Sequence, residues 1–388
     1  VPPHQSETKC SITICCKILP CGMLYSPTLY NMLSDIIRLP LISDNKLEII
    51  SSVRQISLST SDDFDGSKLT KNTILIHEGD GMKHFLAVSN LTSGEVQDLL
   101  DLAIKLKKEY FEKGNPPLFK GRVLGMIFQK PSLRTRVSFD MAMRQCGGDA
   151  LYLSPNEIGL GKRESIADVA RVLSGYVQAL MARVFEHEHV LELAKWSGIP
   201  VVNGLSDYNH PCQGMTDALT IQEKFGKAKG LNVSYVGDGS NVAVSLMHVC
   251  AKLGWNFTIA SPEGYELAPK AVGIAKDISE ETGSKLTFLR DPHEAVRGAQ
   301  VIYTDTWTSM GQEEESARRE QVFPPYQVNA KLVGEADRNV IVMHCLPAHR
   351  NHELTDDVAD GPHSVIFPQA HNRLHAQKAI LARLFGVA

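Results

Sequence analysis

Between residues 123 and 343, short apolar, β-branched runs alternate with amphipathic stretches, and that alternation constrains the fold more than any other feature. Val123–Phe128, 150–153, Ala179–Arg183 and 201–202 read as a first series of strands. Asn232–Val236, 257–260, Leu286–Leu289, Val301–Thr304 and 340–343 read as a second. A strand apolar along its whole length has no face to offer water, so both faces must be covered. Helical periodicity over 134–146, 165–176, 190–196 and 213–225 supplies the cover. Strands joined by helices run parallel, because the crossover returns the chain to the same end of the sheet. The expected fold class is therefore α/β, with two domains, each a central parallel sheet flanked by helices. A last helix over 373–385 closes the chain. An earlier helix is announced by Thr92-Ser-Gly-Glu95, the spacing of a capping box, and ended by Gly114-Asn-Pro-Pro117.

Composition removes whole classes of function. The 388 residues carry 40 Lys+Arg against 44 Asp+Glu, a net charge of −4, which excludes a general nucleic-acid binder. No apolar run reaches the ~18–20 residues that span a bilayer, and no repeat marks a solenoid. Cys10, Cys15, Cys16 and Cys21 cluster near the start, while Cys146, Cys212, Cys250 and Cys345 are scattered. That is not the framework of a small secreted domain, so the compartment reads as reducing. Residues 1–76 lack a sustained period and read as an N-terminal extension. An organelle-targeting segment is the leading reading, placing the protein in a mitochondrial matrix or chloroplast stroma. Five Lys/Arg against four Asp/Glu in residues 1–60 fit a transit peptide poorly. A leader without a role, on a cytoplasmic protein, is the other reading.

Five segments carry chemistry-bearing residues. Lys130-Pro-Ser-Leu-Arg-Thr-Arg136 lies between a strand and a helix, where free N–H groups and the helix dipole favour an anion. Ser132 and Thr135 add hydroxyls, and Arg134 and Arg136 add guanidinium forks; the alternative is a solvated helix start. No Walker loop is present, since Arg163 follows Lys162 where Ser or Thr is required. Tyr235-Val-Gly-Asp-Gly-Ser-Asn241 is half of a dinucleotide fingerprint, with Val242 at the third glycine position. It reads equally as a tight turn, or as a turn presenting Asn241 to a ligand. His210 and Gln213 stand one helical turn apart at a helix start. Asp305 follows a strand, where ligands of open α/β sheets bind, and suits a cationic group. His344, Cys345, His349 and His352 are soft ligand types in a short span, but without the spacing of a zinc finger. Cys345 reads as a reactive thiolate or, more plainly, as an inert buried thiol.

In this order the segments resemble one family, the transcarbamylases, and within it the ornithine carbamoyltransferases. The resemblance rests on the motifs at 132–136, 210–213, 305–314, 344–350 and 367–377 and covers residues 77–388. It implies transfer of the carbamoyl group of carbamoyl phosphate to the side-chain amine of L-ornithine, giving L-citrulline and phosphate, as in arginine biosynthesis or the urea cycle. It also implies a homotrimer, no cofactor, no metal, and no nucleic-acid or membrane partner. By resemblance, Ser132, Leu133, Arg134, Thr135, Arg183, His210, Gln213 and Arg373 bind carbamoyl phosphate. Cys345 and Leu346 meet both substrates, while Asn241, Asp305, Ser309 and Met310 bind ornithine. Arg183, His210 and Cys345 are the catalytic candidates, Cys345 as proton acceptor. Residues 77–210 with helix 370–388 are expected to form the carbamoyl phosphate domain, and 211–369 the ornithine domain. The fold is expected to gather Arg134, Arg136, Arg183 and Arg373, and Lys162 or Arg163 to reach a neighbouring subunit. Leu133 stands where relatives commonly have Thr, and His371 where they commonly have Glu. A sister enzyme acting on putrescine or an acylated ornithine is the alternative.

Overall fold

The first sheet contains β1 (Val123–Phe128), β2 (Asp149–Leu153), β3 (Ala179–Arg183) and β4 (Val201–Leu205), all parallel and ordered β2-β1-β3-β4. The second contains β5 (Asn232–Val236), β6 (Asn256–Ala260), β7 (Leu286–Leu289), β8 (Val301–Thr304) and β9 (Ile341–His344), also parallel, ordered β7-β6-β5-β8-β9. This computed structural model describes residues 82–308 and 313–388. The extension 1–76, Ser309 and Met310 thus lie outside the described residues. The expected α/β class with two parallel sheets is what the chain adopts.

The helices are α1 (Ser93–Lys113), α2 (Leu133–Gln145), α3 (Ile166–Ser174), α4 (His187–Trp196), α5 (Pro211–Phe225), α6 (Asn241–Leu253), α7 (Pro269–Thr282), α8 (Pro292–Val296), α9 (Ser316–Val322) and α10 (Ile366–Leu384), with single-turn helices between some of them. The Thr92–Glu95 capping box forms as read. β3 is buried at every position and β1 at all but its first, which is why their sequences show no polar alternation.

Two boundaries differ from the reading. β4 continues to Leu205, past the β-branched pair. α10 starts at Ile366, seven residues before Arg373, because Pro368 falls in the first turn, where its missing N–H is no loss. That earlier start brings Gln369 onto the same helical face as Arg373. α10 packs against α1, α2 and α5. It is buried almost throughout, so its polar residues must find partners there. Asn372 donates to Thr220 Oγ1 at 3.0 Å, and Lys378 to Asn115 Oδ1 at 2.6 Å.

Both sheets place their switch points toward chemistry. In the first, the order reverses between β1 and β3, whose last residues Phe128 and Arg183 are register partners. In the second it reverses between β5 and β8, whose ends lead to Asn241 and Asp305. Crevices outside the carboxyl ends of strands at such points are where α/β sheets bind ligands.

Candidate active site

A cavity of about 360 Å³ opens at these strand ends. Ser132, Leu133, Arg134, Thr135, Arg183, His210 and Arg373 line one part, and Asn241, Asp305, Cys345 and Leu346 also line it. The anion wall is built on the start of α2. Ser132 is its N-cap, extended at φ −160°, and its Oγ accepts the Thr135 N–H at 3.3 Å. Thr135 Oγ1 in turn accepts from Arg373 Nη2 at 2.9 Å and from Arg183 Nη1 at 3.5 Å.

The neighbouring guanidinium groups repel one another. Burial first, and then the charges of Arg373 and Arg134, pull Arg183 down to about 10, which still leaves it cationic at neutral pH. Burial and the same arginine charges hold His210 well below its usual value, so its ring is neutral. Arg373 Nη1 lies 3.4 Å from His210 Nε2 and points a donor at it, which places the ring proton on Nδ1. His210 Nδ1, Arg183 Nε and Arg373 Nε are buried without protein partners. A concentration of buried donors and positive charge suits an anion or a developing oxyanion.

On the other side, the Cys345 thiol donates to Asp305 Oδ1 at 3.1 Å, and the Thr306 N–H donates to the same oxygen at 2.8 Å. Burial and the Asp305 charge push the thiol well above 9, so it retains its proton. Burial also raises Asp305. Asn241 donates to the Ser206 carbonyl at 2.6 Å, and its own carbonyl accepts from Ser245 Oγ, which also accepts the His210 N–H. Leu346 holds a left-handed φ of 60°, uncommon for a bulky residue. Asp305, His344 and Cys345 offer atoms within 4.8 Å of one another. However, His344 Nδ1 accepts from Leu346 N and Nε2 faces Glu353, so both ring nitrogens are already engaged.

The family comparison agrees with this arrangement. Residues 83–223 match the family description aspartate/ornithine carbamoyltransferase, carbamoyl-P binding domain, and 229–384 match its Asp/Orn binding domain. The chain belongs to the aspartate/ornithine carbamoyltransferase family. An ornithine carbamoyltransferase of Bacillus subtilis is 52% identical over 299 residues, 77% of this chain and 92% of that protein. The structure of ornithine carbamoyltransferase from Pyrococcus furiosus superposes with a TM-score of 0.77 at 50% identity, covering 78% of this chain and 97% of that one. A mitochondrial ornithine carbamoyltransferase structure from Coccidioides immitis gives a TM-score of 0.73 at 33% identity, covering 80% and 100%.

Within this carbamoyltransferase chain, two expectations meet a different geometry. Gln213 is not on the cavity wall. It lies behind Arg373, accepting from Nη1 through Oε1 and donating through Nε2 to Asp217 at 2.8 Å. Arg136 does not join the other arginines: on α2 it is turned to Tyr152, its guanidinium 4.1 Å from the ring centroid. Lys162 and Arg163, expected to reach a neighbouring subunit, are exposed and lie off the cavity of their own chain. The Gly237-Asp-Gly239 turn is filled by protein. A Cβ at Gly239 would lie 2.4 Å from the backbone of Glu266 and Leu267, and Asp238 is paired with Arg319 at 2.6 Å. The tight-turn reading with Asn241 presented to the cavity is the one the structure adopts.

His349, read only as a soft metal-ligand type, and Val242, read only as a missing glycine, line the cavity too. Thr306 and Pro347 also line it and escaped the sequence reading. So did the residues beneath it. Asp217 Oδ1 accepts from Gln213 and, at 2.7 Å, from Gln369, whose Oε1 accepts the His344 N–H at 2.9 Å. The one signal was Asp217 at i+4 from Gln213 on a single helix.

Proposed function

We propose that the chain transfers the carbamoyl group of carbamoyl phosphate to the side-chain amine of L-ornithine, releasing phosphate and L-citrulline. The observation that carries this reading is the opposition, within one cavity, of Arg134, Arg183 and Arg373 to Asp305 and Cys345. The α2 N-terminus, with Arg134 and the facing Arg373, takes the phosphate. Asp305 takes the α-ammonium of the amino acid.

The amine nitrogen bonds to the carbonyl carbon, and the bond from that carbon to the phosphate oxygen breaks, its electron pair leaving with phosphate. An alkyl amine of pKa ~10.4 must shed a proton to attack, and a cavity rich in arginine favours the neutral amine. The tetrahedral oxyanion is met by Arg183 and by the neutral His210 ring. Cys345 holds its own proton while Asp305 is uncompensated. An ammonium at Asp305 offsets the carboxylate's share of the thiol's upward shift, leaving the share due to burial, and so favours loss of the thiol proton to solvent; the resulting Cys345 thiolate is the form that accepts the amine's proton.

We assign residues 77–210 with helix 370–388 to carbamoyl phosphate and 211–369 to ornithine, and the assembly as a homotrimer. An apolar stripe beside the cavity, Leu133, Val137 and Met141 on α2, supports a second copy there. Residues 1–76 are taken as an organelle-targeting segment; a fluorescent fusion of that segment spreading through the cytoplasm refutes this.

Citrulline-type product formation across ornithine, putrescine and N-acetylornithine tests the substrate. Ornithine should win over N-acetylornithine by a wide margin, since the acetylated α-nitrogen brings no ammonium to the buried Asp305, and an unmatched buried polar group can cost ~10⁴-fold in discrimination; putrescine keeps that ammonium and lacks the α-carboxylate, so its margin should be smaller. If either rival amine is the better acceptor, the sister-enzyme reading replaces this one.

A further inference from the structure

We infer that Glu353, which does not line the cavity, is a positioning residue for the amine-acceptor half of the site, an inference that rests on the carbamoyl-transfer reading. Glu353 and His344 are both fully buried. One carboxylate oxygen, Glu353 Oε1, accepts two hydrogen bonds, from His344 Nε2 at 3.1 Å and from the His349 N–H at 2.7 Å. Each donor leads to a different strand-end loop of the cavity.

The first branch runs through His344. The Leu346 N–H donates to His344 Nδ1 at 2.8 Å, so that nitrogen carries the lone pair and the ring proton sits on Nε2, facing Glu353. The carboxylate therefore selects the tautomer, and the tautomer holds the Leu346 N–H. Leu346 needs such a hold because its φ of 60° is a conformation that a branched, bulky side chain avoids. Cys345 lies between these two anchored residues.

The second branch runs through His349. Its ring Nδ1 lies 3.2 Å from Thr306 Oγ1, and the Thr306 N–H donates to Asp305. Glu353 thus ties the loop after β9, which carries Cys345 and Leu346, to the loop after β8, which carries Asp305 and Thr306. Burial pushes the Glu353 carboxyl up, but the bonds from His344 and His349 outweigh it and hold it below the ordinary value. The carboxylate form that accepts both donors is the one present. None of its partners belongs to the α2 anion wall.

The test uses the full-length enzyme and steady-state kinetics with each substrate varied in turn. Glu353→Ala should raise the ornithine KM by about tenfold or more and lower kcat, with the carbamoyl phosphate KM within about twofold of wild type. Glu353→Gln should recover to within about threefold of wild type, because an amide oxygen accepts the same two bonds and its nitrogen would replace Oε2, which has no protein partner. Equal damage to both KM values, no damage, or a Gln variant as impaired as Ala overturns the proposal. If Glu353→Ala does not fold, His349→Ala cuts only the Thr306 branch. It should raise the ornithine KM about threefold without moving that for carbamoyl phosphate, and an unchanged ornithine KM overturns the proposal. Wild-type turnover in the same assay reports separately on the transfer reaction. Should another amine prove to be the acceptor, the comparison is made with that amine.

Discussion

Arg373 Nη2 donates to Thr135 Oγ1 at 2.9 Å, joining two residues 238 positions apart in the chain. The last helix thereby completes an anion site begun at the first residues of α2, and the guanidinium does so while also holding Gln213 and facing His210. Arg373→Ala should remove a charge and a donor together from the cavity wall proposed to hold carbamoyl phosphate. A single preorganised donor to a developing oxyanion is worth roughly 10²–10³ in rate. We expect kcat/KM for carbamoyl phosphate to fall by at least that much, measured by initial rates at saturating ornithine. Arg373→Lys should rescue only in part, since a point charge cannot reach Thr135 and Gln213 simultaneously as a planar fork does. Full activity in either variant contradicts the site.

Asp217 is fully buried, and burial raises it to about 7 against hydrogen bonds from Gln213 and Gln369 that pull it down. A carboxyl whose folded value is raised contributes stability that is complete below its unfolded pKa and lost as pH rises through the folded value. Wild-type stability should therefore decline between about pH 4 and pH 7 through this group, by an amount on the order of a few kcal/mol. Asp217→Asn keeps the acceptor oxygen that both glutamines use and cannot ionise. Urea melts at pH 5 and pH 8 should show a smaller pH dependence for the variant than for the wild type. Equal dependence in both proteins excludes Asp217 as its source.

The fold class was legible because buried parallel strands leave a signature that needs no tertiary knowledge: runs such as those at Val123–Phe128 and Ala179–Arg183 are apolar throughout. That the start of α2 would form one wall of the cavity was legible for a related reason, since a strand, a turn and a helix N-cap are local objects. What escaped was set by distance. Arg136 has the same charge as Arg134 two residues earlier, and only the helix face and the Tyr152 ring decide that it leaves the cavity. Glu353, Asp217 and Gln369 look like ordinary polar residues, and their roles exist only once β8, β9, α5 and α10 are packed together. The start of α10 was misjudged because a proline in the first turn of a helix resembles one that breaks it.

The Cys345–Asp305 pair makes a prediction about reactivity. Burial and then the Asp305 charge raise the thiol well above 9, so little thiolate is present at pH 8. Alkylation by iodoacetamide, followed by peptide mass spectrometry, should be slow at Cys345 in the free enzyme despite the open cavity beside it. Asp305→Asn removes the neighbouring charge, lowers the thiol pKa, and should speed modification several-fold at pH 8. Cys146, Cys212 and Cys250 are buried and serve as unreactive controls in the same digest. Faster labelling of wild type than of Asp305→Asn would mean that the carboxylate acts as a base toward the thiol rather than as a charge opposing the thiolate.

Leu133, Val137 and Met141 stand at successive i, i+4 positions of α2 and are 75%, 48% and 38% exposed. An apolar row of this kind at the start of a ligand-binding helix is costly to leave in water, at about 25 cal/mol for each Å². Leu133 also lines the cavity, so whatever covers the row reaches the mouth of the site. If a second copy covers it in a closed threefold ring, sedimentation velocity should give a trimer for the wild type. Val137→Glu places a charge in the middle of the row without touching the cavity wall. It should shift the protein to monomers and reduce turnover in parallel, with activity returning as concentration drives reassociation. A monomeric wild type, or a Val137→Glu trimer of undiminished activity, would show that the row is not the subunit contact.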